Sequence, residues 1–148
     1  MASRVAASNS ITIARPIDVV FAFFAEAEND PTWRQGVRSI ERDGGGVPRL
    51  GAVYRQRVDG AGGREIPADI EVTAFEPPRR VAFRGIAGPV RPLGEYRFEP
   101  DGSGTRVHFS LEAELGWFMA LFLSKRVQHA MDAEVDGLTR AKAQLERS

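Results

Sequence analysis

Two histidines, His108 and His129, and no cysteine are what this chain of 148 residues offers toward imidazole or thiolate chemistry. Without Cys there is no thiolate nucleophile, no disulfide and no cysteine metal site, and a His-based triad or metal site needs convergent partners. Counted by period two along 105–114, Val107, Phe109, Leu111 and Ala113 share one face, and His108 takes the other with Arg106, Ser110 and Glu112. His129 falls about 200° around a helix from Val127 at roughly 100° per residue. Both imidazoles therefore point away from a core, and no metal ligand and no catalytic residue is assigned.

Carboxylates are the next candidates for acid and base work. Asp69 and Glu71 share a face, but Ile66, Ala68, Ile70, Val72 and Ala74 take the inner side of that strand. The two acids then stand outside beside Arg55 and Arg57, where cross-strand ion pairs of about 0–1 kcal/mol account for all four. The other parity of 52–58 sends Tyr54 and Gln56 inwards with Val58. Buried polar groups need partners; these two bond to each other or to ordered water, or they orient a bound molecule. Glu134 lies about 20° from Val127 on the helical wheel, inside an apolar stripe. Either it reaches the edge or meets an Arg, or it faces a cavity and becomes the best candidate acid or base.

Positioning these groups falls to a series of short strands and one long helix. Ser10–Ala14 alternates as a first strand, and Arg15-Pro16-Ile17-Asp18 opens a short helix bearing Val20, Phe21, Phe23 and Phe24. Asn29-Asp30-Pro31 breaks that helix ahead of Trp33. Six further strands are predicted at 37–42, 52–58, 65–75, 80–85, 94–99 and 105–114, separated by Gly- and Pro-rich turns. Short loops favour an antiparallel meander. From Trp117 to Leu145 the chain lacks Pro and places Val127, Met131, Val135, Leu138, Ala141 and Leu145 on one stripe, which a sheet face must cover. The fold class is α+β, one domain over residues 1–148 with an apolar interior.

Lys plus Arg and Asp plus Glu balance at 20 each, so the field that gathers phosphates is missing and no nucleic-acid partner is expected. Met1–Ser10 does not resemble a secretory signal, and the run Leu115–Leu123 is about half of the roughly 20 residues a membrane span requires. A cytoplasmic location and no integral membrane segment are the expectations. The aromatic and aliphatic residues Phe24, Trp33, Ile70, Phe83, Tyr96, Phe98, Phe109, Trp117, Phe122 and Met131, with Tyr54, Gln56 and Glu134, form the set expected to line a ligand site. Gly85 and Gly94 allow the sheet to bend around a space. Trp117, Phe118, Met119, Leu121, Phe122 and Leu123 cover more of the helix than one stripe hides. They suggest a gate beneath the loop 86–93 and the hairpin 59–63, hinged at Gly88-Pro89, or else a dimer contact. The chain is accordingly expected as a monomer or a homodimer.

The chain resembles the START-like, Bet v 1-like superfamily, in particular the bacterial polyketide cyclase/dehydrase and lipid transport proteins. Its matching pieces are Ile11-Thr12-Ile13, the Arg15–Phe21 helix start, Trp33 before Gly36-Val37, Val72–Phe83, Tyr96–Pro100, Gly104–Val107 and the closing amphipathic helix. The resemblance implies a helix-grip architecture, a curved antiparallel sheet wrapped around a long C-terminal helix with a deep apolar cavity. It implies a small hydrophobic ligand such as a lipid, polyketide or similar aromatic molecule, with a polyketide cyclase or dehydratase as the alternative. In that alternative Tyr54, Gln56 and Glu134 polarise or deprotonate the substrate. No catalytic residue transfers from the family, no cofactor is implied, and the Rieske-linked branch lacks its cluster ligands here.

Overall fold

The computed structural model describes residues 3–148, with the side chains of Ser3, Ala61, Trp117, Phe118, Met119, Leu121, Phe122 and Leu123 outside the description. Strand β1 (Ser3–Ile13) leads into helix α1 (Ile17–Ala25) and a 3-10 turn (Ala27–Thr32). Strands β2 (Val37–Arg42), β3 (Val53–Asp59), β4 (Glu65–Pro67), β5 (Ile70–Glu76), β6 (Arg80–Gly85), β7 (Leu93–Asp101) and β8 (Gly104–Leu115) follow. Helices α2 (Trp117–Asp136) and α3 (Leu138–Arg147) close the chain. The strands form one curled antiparallel sheet in the order β1-β8-β7-β6-β5-β3-β2, with β4 paired to β3.

From β2 to β8 the chain is the expected meander, but β1 pairs with β8 instead of β2. Helix α1 and the 3-10 turn carry the chain from one edge of the sheet to the other. β1 also begins earlier than its apolar alternation suggests. Its first half, with Val5 buried in the core, is held by the same unbroken ladder to β8 that runs from Ser3 opposite Leu115 to Ile13 opposite Thr105. Along β8 the alternation is as counted: Val107, Phe109, Leu111, Ala113 and Leu115 are all buried.

Two departures from the predicted strand over 65–75 reshape the inner face. The ladder stops at Ala68 and Asp69, where the Asp69 carboxylate accepts the Gln56 N–H at 3.0 Å and the Gln56 amide donates to the Ala68 carbonyl at 2.8 Å. A bulge between Val72 and Ala74 then reverses the parity, so that Phe75 turns inwards to meet Phe21 with ring centroids 5.6 Å apart. The single long helix is likewise divided at Gly137, whose N–H bonds to the carbonyls of Glu134 and Val135. A Cβ there would stand 3.1 Å from the Trp33 carbonyl oxygen. The stripe itself holds, since Met131, Val135, Leu138, Ala141 and Leu145 are buried against the sheet.

Candidate functional site

At one end of the curled sheet, α1 and the segment after it fill the interior with rings. Phe24 packs on Trp33 and Tyr96 at centroid distances of 5.4 and 5.2 Å, and Tyr96 stacks on Phe109 at 4.5 Å. At the other end the side chains are shorter, and a cavity of about 500 Å³ remains. The sheet contributes Val58, Ile66, Ala68, Ile70, Phe83 and Leu111 to its wall, and α2 contributes Arg126, Val127, Ala130, Met131 and Glu134. The rest comes from two connections, Asp59, Gly60 and Gly62 at the end of β3 and Ala87, Pro89, Val90 and Pro92 after β6. Gly88 joins these parts: at φ +91° it lies so close to β4 that a Cβ would stand 2.2 Å from the Pro67 carbonyl oxygen. Gly94 acts similarly, because the Phe83 ring occupies the space its Cβ would need. A second recess of comparable size, lined by Ser39, Ile40, Glu41, Arg55, Gln56, Arg57, Pro67 and Asp69, lies on strand surface where charged side chains pair with one another.

Away from the exposed Asp59 and Arg126, the cavity wall is polar at one place. Arg34, only 5 % exposed, lines it together with Gln56 and Glu134. Its Nη1 donates to Asp30 Oδ2 at 2.7 Å and its Nη2 to Glu134 Oε2 at 2.5 Å, which ties the 3-10 segment to α2 across 100 positions of sequence. Burial pushes the Asp30 carboxyl up to about 6; Arg34 offsets this only in part, and Glu134 and Glu26 add to the rise. Burial also opposes the charge on Arg34, but Glu134 and Asp30 outweigh it and keep the guanidinium protonated. The Tyr96 hydroxyl, raised by burial, stays protonated too. Around this cluster Gln56 Oε1, Arg34 Nε, Asp30 Oδ1, Trp33 Nε1 and Tyr96 OH are buried without a partner. Buried polar atoms without a partner in the protein are uncommon, and a water or another small molecule satisfies them.

Of the residues singled out from sequence, Gln56, Ile70, Phe83, Met131 and Glu134 line the cavity. Phe24, Trp33, Tyr96, Phe98 and Phe109 belong to the packed cluster beside it, and among the described rings Phe83 alone reaches from that cluster to the cavity wall. Tyr54 is fully buried, yet its hydroxyl lies 3.3 Å from both Arg42 and Glu26, which hold it apart from the cavity. Trp117 and Phe122, and with them the side chains of the suggested gate or dimer contact, lie outside the described residues. Both alternatives read for Glu134 apply, since it meets an Arg and also faces the cavity. Asp69 pairs with Arg55 as expected, whereas Glu71 pairs with Arg84 of β6 and Arg57 with Glu65.

Sequence reading missed Arg34 and Asp30. Their i,i+4 spacing beside Trp33 is the signal that could have found them. It also missed a contact chain on the outer sheet face, where Ser10 Oγ lies 2.5 Å from His108 Nδ1 and His108 Nε2 lies 2.9 Å from Glu99. None of these three residues lines the cavity. Among the described residues no group of three or more His, Asp or Glu is placed to hold a metal ion, and no helix is long and apolar enough to cross a membrane.

Residues 4–142 match the family described as polyketide cyclase / dehydrase and lipid transport. The chain belongs to this family. Solved structures similar to this member of the polyketide cyclase / dehydrase and lipid transport family share its fold from end to end. A protein of Thermus thermophilus is 24% identical, with 97% of each chain covered and a TM-score of 0.76. The Zhui aromatase/cyclase of Streptomyces sp. R1128 is 19% identical over 98% of this chain and 95% of its own, with a TM-score of 0.74. A START superfamily protein of Mycobacterium smegmatis is 14% identical over 96% of this chain and 97% of its own, also at 0.74. No curated protein matches the chain. At these identities the neighbours establish the START-like, helix-grip fold.

Proposed function

We propose that this protein binds or carries a small, largely hydrophobic molecule of lipid, polyketide or similar aromatic kind in the cavity between the sheet and α2. The observation that carries the proposal is the cavity itself. Its volume, about 500 Å³, lies in the range of small-molecule sites, and its mostly apolar wall is interrupted by one cluster of convergent polar groups. The family description, which joins cyclases with lipid transport, and the aromatase/cyclase among the structural neighbours support the same reading. Gln56, Ile70, Phe83, Met131 and Glu134 are then contact residues, with Phe24, Trp33, Tyr96, Phe98 and Phe109 as the rigid backing that keeps the space open.

Native mass spectrometry of protein purified from its host is expected to show a retained apolar molecule. Val127→Trp, which projects an indole from α2 into the cavity, is expected to lower its occupancy at least tenfold while far-UV circular dichroism is unchanged. Equal occupancy in the variant would place the ligand elsewhere. A cyclase or dehydratase is the second reading, favoured by one observation: Glu134 presents a carboxylate on the wall of the same cavity. In that case Glu134→Gln abolishes turnover of a ketide substrate and retains its binding.

A further inference from the structure

The polar end of the cavity can be read for the kind of head group it accepts, on the reading that the cavity holds a ligand. Among the described residues Arg34 is the one cation in the buried cluster, and each of its Nη atoms spends one N–H on a carboxylate, Nη1 on Asp30 and Nη2 on Glu134. Two carboxylates face one guanidinium, so the cluster is not positive in any of its ionisation states that keep Glu134 charged. The Gln56 amide group points its nitrogen at the Ala68 carbonyl, which leaves Oε1 as a buried acceptor with no donor. Glu134 accepts from Arg34 through Oε2, and its Oε1 accepts no hydrogen bond among the described residues. What the cavity wall offers at this end therefore includes unused acceptor capacity, in Gln56 Oε1 and Glu134 Oε1, inside a cluster that is neutral or negative. Arg34 Nε adds an unpartnered N–H, and each Nη keeps a second N–H beside its carboxylate.

We propose that this end of the cavity selects an apolar molecule carrying a hydrogen-bond donor, a hydroxyl or amino group, and discriminates against a carboxylate. A hydroxyl placed between Gln56 Oε1 and Glu134 donates to one acceptor and still receives from Arg34 Nε. A carboxylate in the same place donates nothing, leaves Gln56 Oε1 unsatisfied and meets Glu134 at close range, where like charges repel strongly in a low-dielectric site. Among the described residues the other cation on the wall is Arg126, exposed on α2 outside the buried cluster. A carboxylate drawn to it enters with its apolar end toward the unsatisfied acceptors, which costs affinity for the reason that sites built around a hydroxyl reject analogues lacking it.

Three probes with one aromatic body separate the terms: 2-naphthol, naphthalene and 2-naphthoate, titrated into the intact protein by calorimetry at neutral pH. Naphthol is expected to bind about tenfold or more tighter than either of the others, the increment of a hydrogen bond to a charged acceptor. Glu134→Gln removes one negative charge from the cluster and is expected to shrink the preference for naphthol over naphthoate at least tenfold. Gln56→Met, which leaves the Arg34 ion pairs in place, serves as the second variant, and it is expected to shrink the preference for naphthol over naphthalene. Naphthoate binding as tightly as naphthol to the wild type overturns the selectivity and leaves the cavity a ligand site. No binding of any of the three overturns the selectivity together with the proposed function.

Discussion

At the scale of the residue, Asp30 sets the energetic character of the site. It is almost fully buried, with one oxygen on Arg34 and the other without a partner, and desolvation outweighs its ion pair. Its carboxyl therefore titrates near 6 in the fold against 3.8 in the unfolded chain. Between those values the folded state holds a proton that the unfolded state has released, so stability from this group falls as the pH rises, and it stays low above about pH 6. The shift corresponds to a loss on the order of 3 kcal/mol between acid and neutral pH. Asp30→Asn cannot ionise and lacks this slope. In urea unfolding at a series of pH values, the wild type is expected to lose stability relative to Asp30→Asn from about pH 4 to pH 6, with no further change above. Wild-type stability that, relative to Asp30→Asn, stays flat or rises with pH shows that Arg34 offsets or outweighs burial. A buried carboxylate kept at such a cost fits a residue retained for the site it builds rather than for the fold it stabilises.

Among the elements, the interruption between β4 and β5 and the connection after β6 do most to create the space. Where a continuous strand 65–75 would bring a regular ladder across the end of the sheet, the break at Ala68 and Asp69 substitutes side-chain bonds to Gln56. That places both Gln56 and Ala68 on the cavity wall. The β6–β7 connection closes over the same end because Gly88 can lie against the Pro67 carbonyl in a left-handed conformation that other residues resist. Gly88→Ala introduces both the backbone strain and a clash with main-chain oxygen. It is expected to cost about 1–3 kcal/mol and to lift the connection away from β4. In stopped-flow displacement of a bound fluorescent ligand, release should be several-fold faster than from the wild type. Unchanged release kinetics would show that ligand leaves by a route that does not involve this connection.

For the whole molecule, the division into a ring-filled end and a hollow end predicts uneven stability. β8 is paired by β1 from Thr105 to Leu115 and by β7 from Gly104 to Glu112, and its inner face is packed with buried residues. β2 is an edge strand, and β4 pairs only with β3. Hydrogen exchange followed by mass spectrometry is expected to be slowest in β7 and β8 and fastest in β2, β4 and the two connections at the cavity. Ligand should slow 59–68 and 86–92 while leaving β8 unchanged; protection spread evenly over the chain would contradict this division. By itself the sequence determined the fold class, the inward face of β8, the inward turn of Tyr54 and Gln56 and the stripe from Met131 to Leu145, because side-chain direction is set by local backbone geometry with a period that neighbouring residues display. Only the tertiary structure decided which buried residues border empty space. Phe24 and Phe83 are equally plausible as lining residues in the sequence, yet one packs among rings and the other lines the cavity. The Arg34–Glu134 contact is equally invisible to periodicity, since it joins residues 100 positions apart. A void is what remains when the volumes of distant segments fail to fill the space between them, and the ionisation of a buried carboxyl depends on that same assembly of remote neighbours.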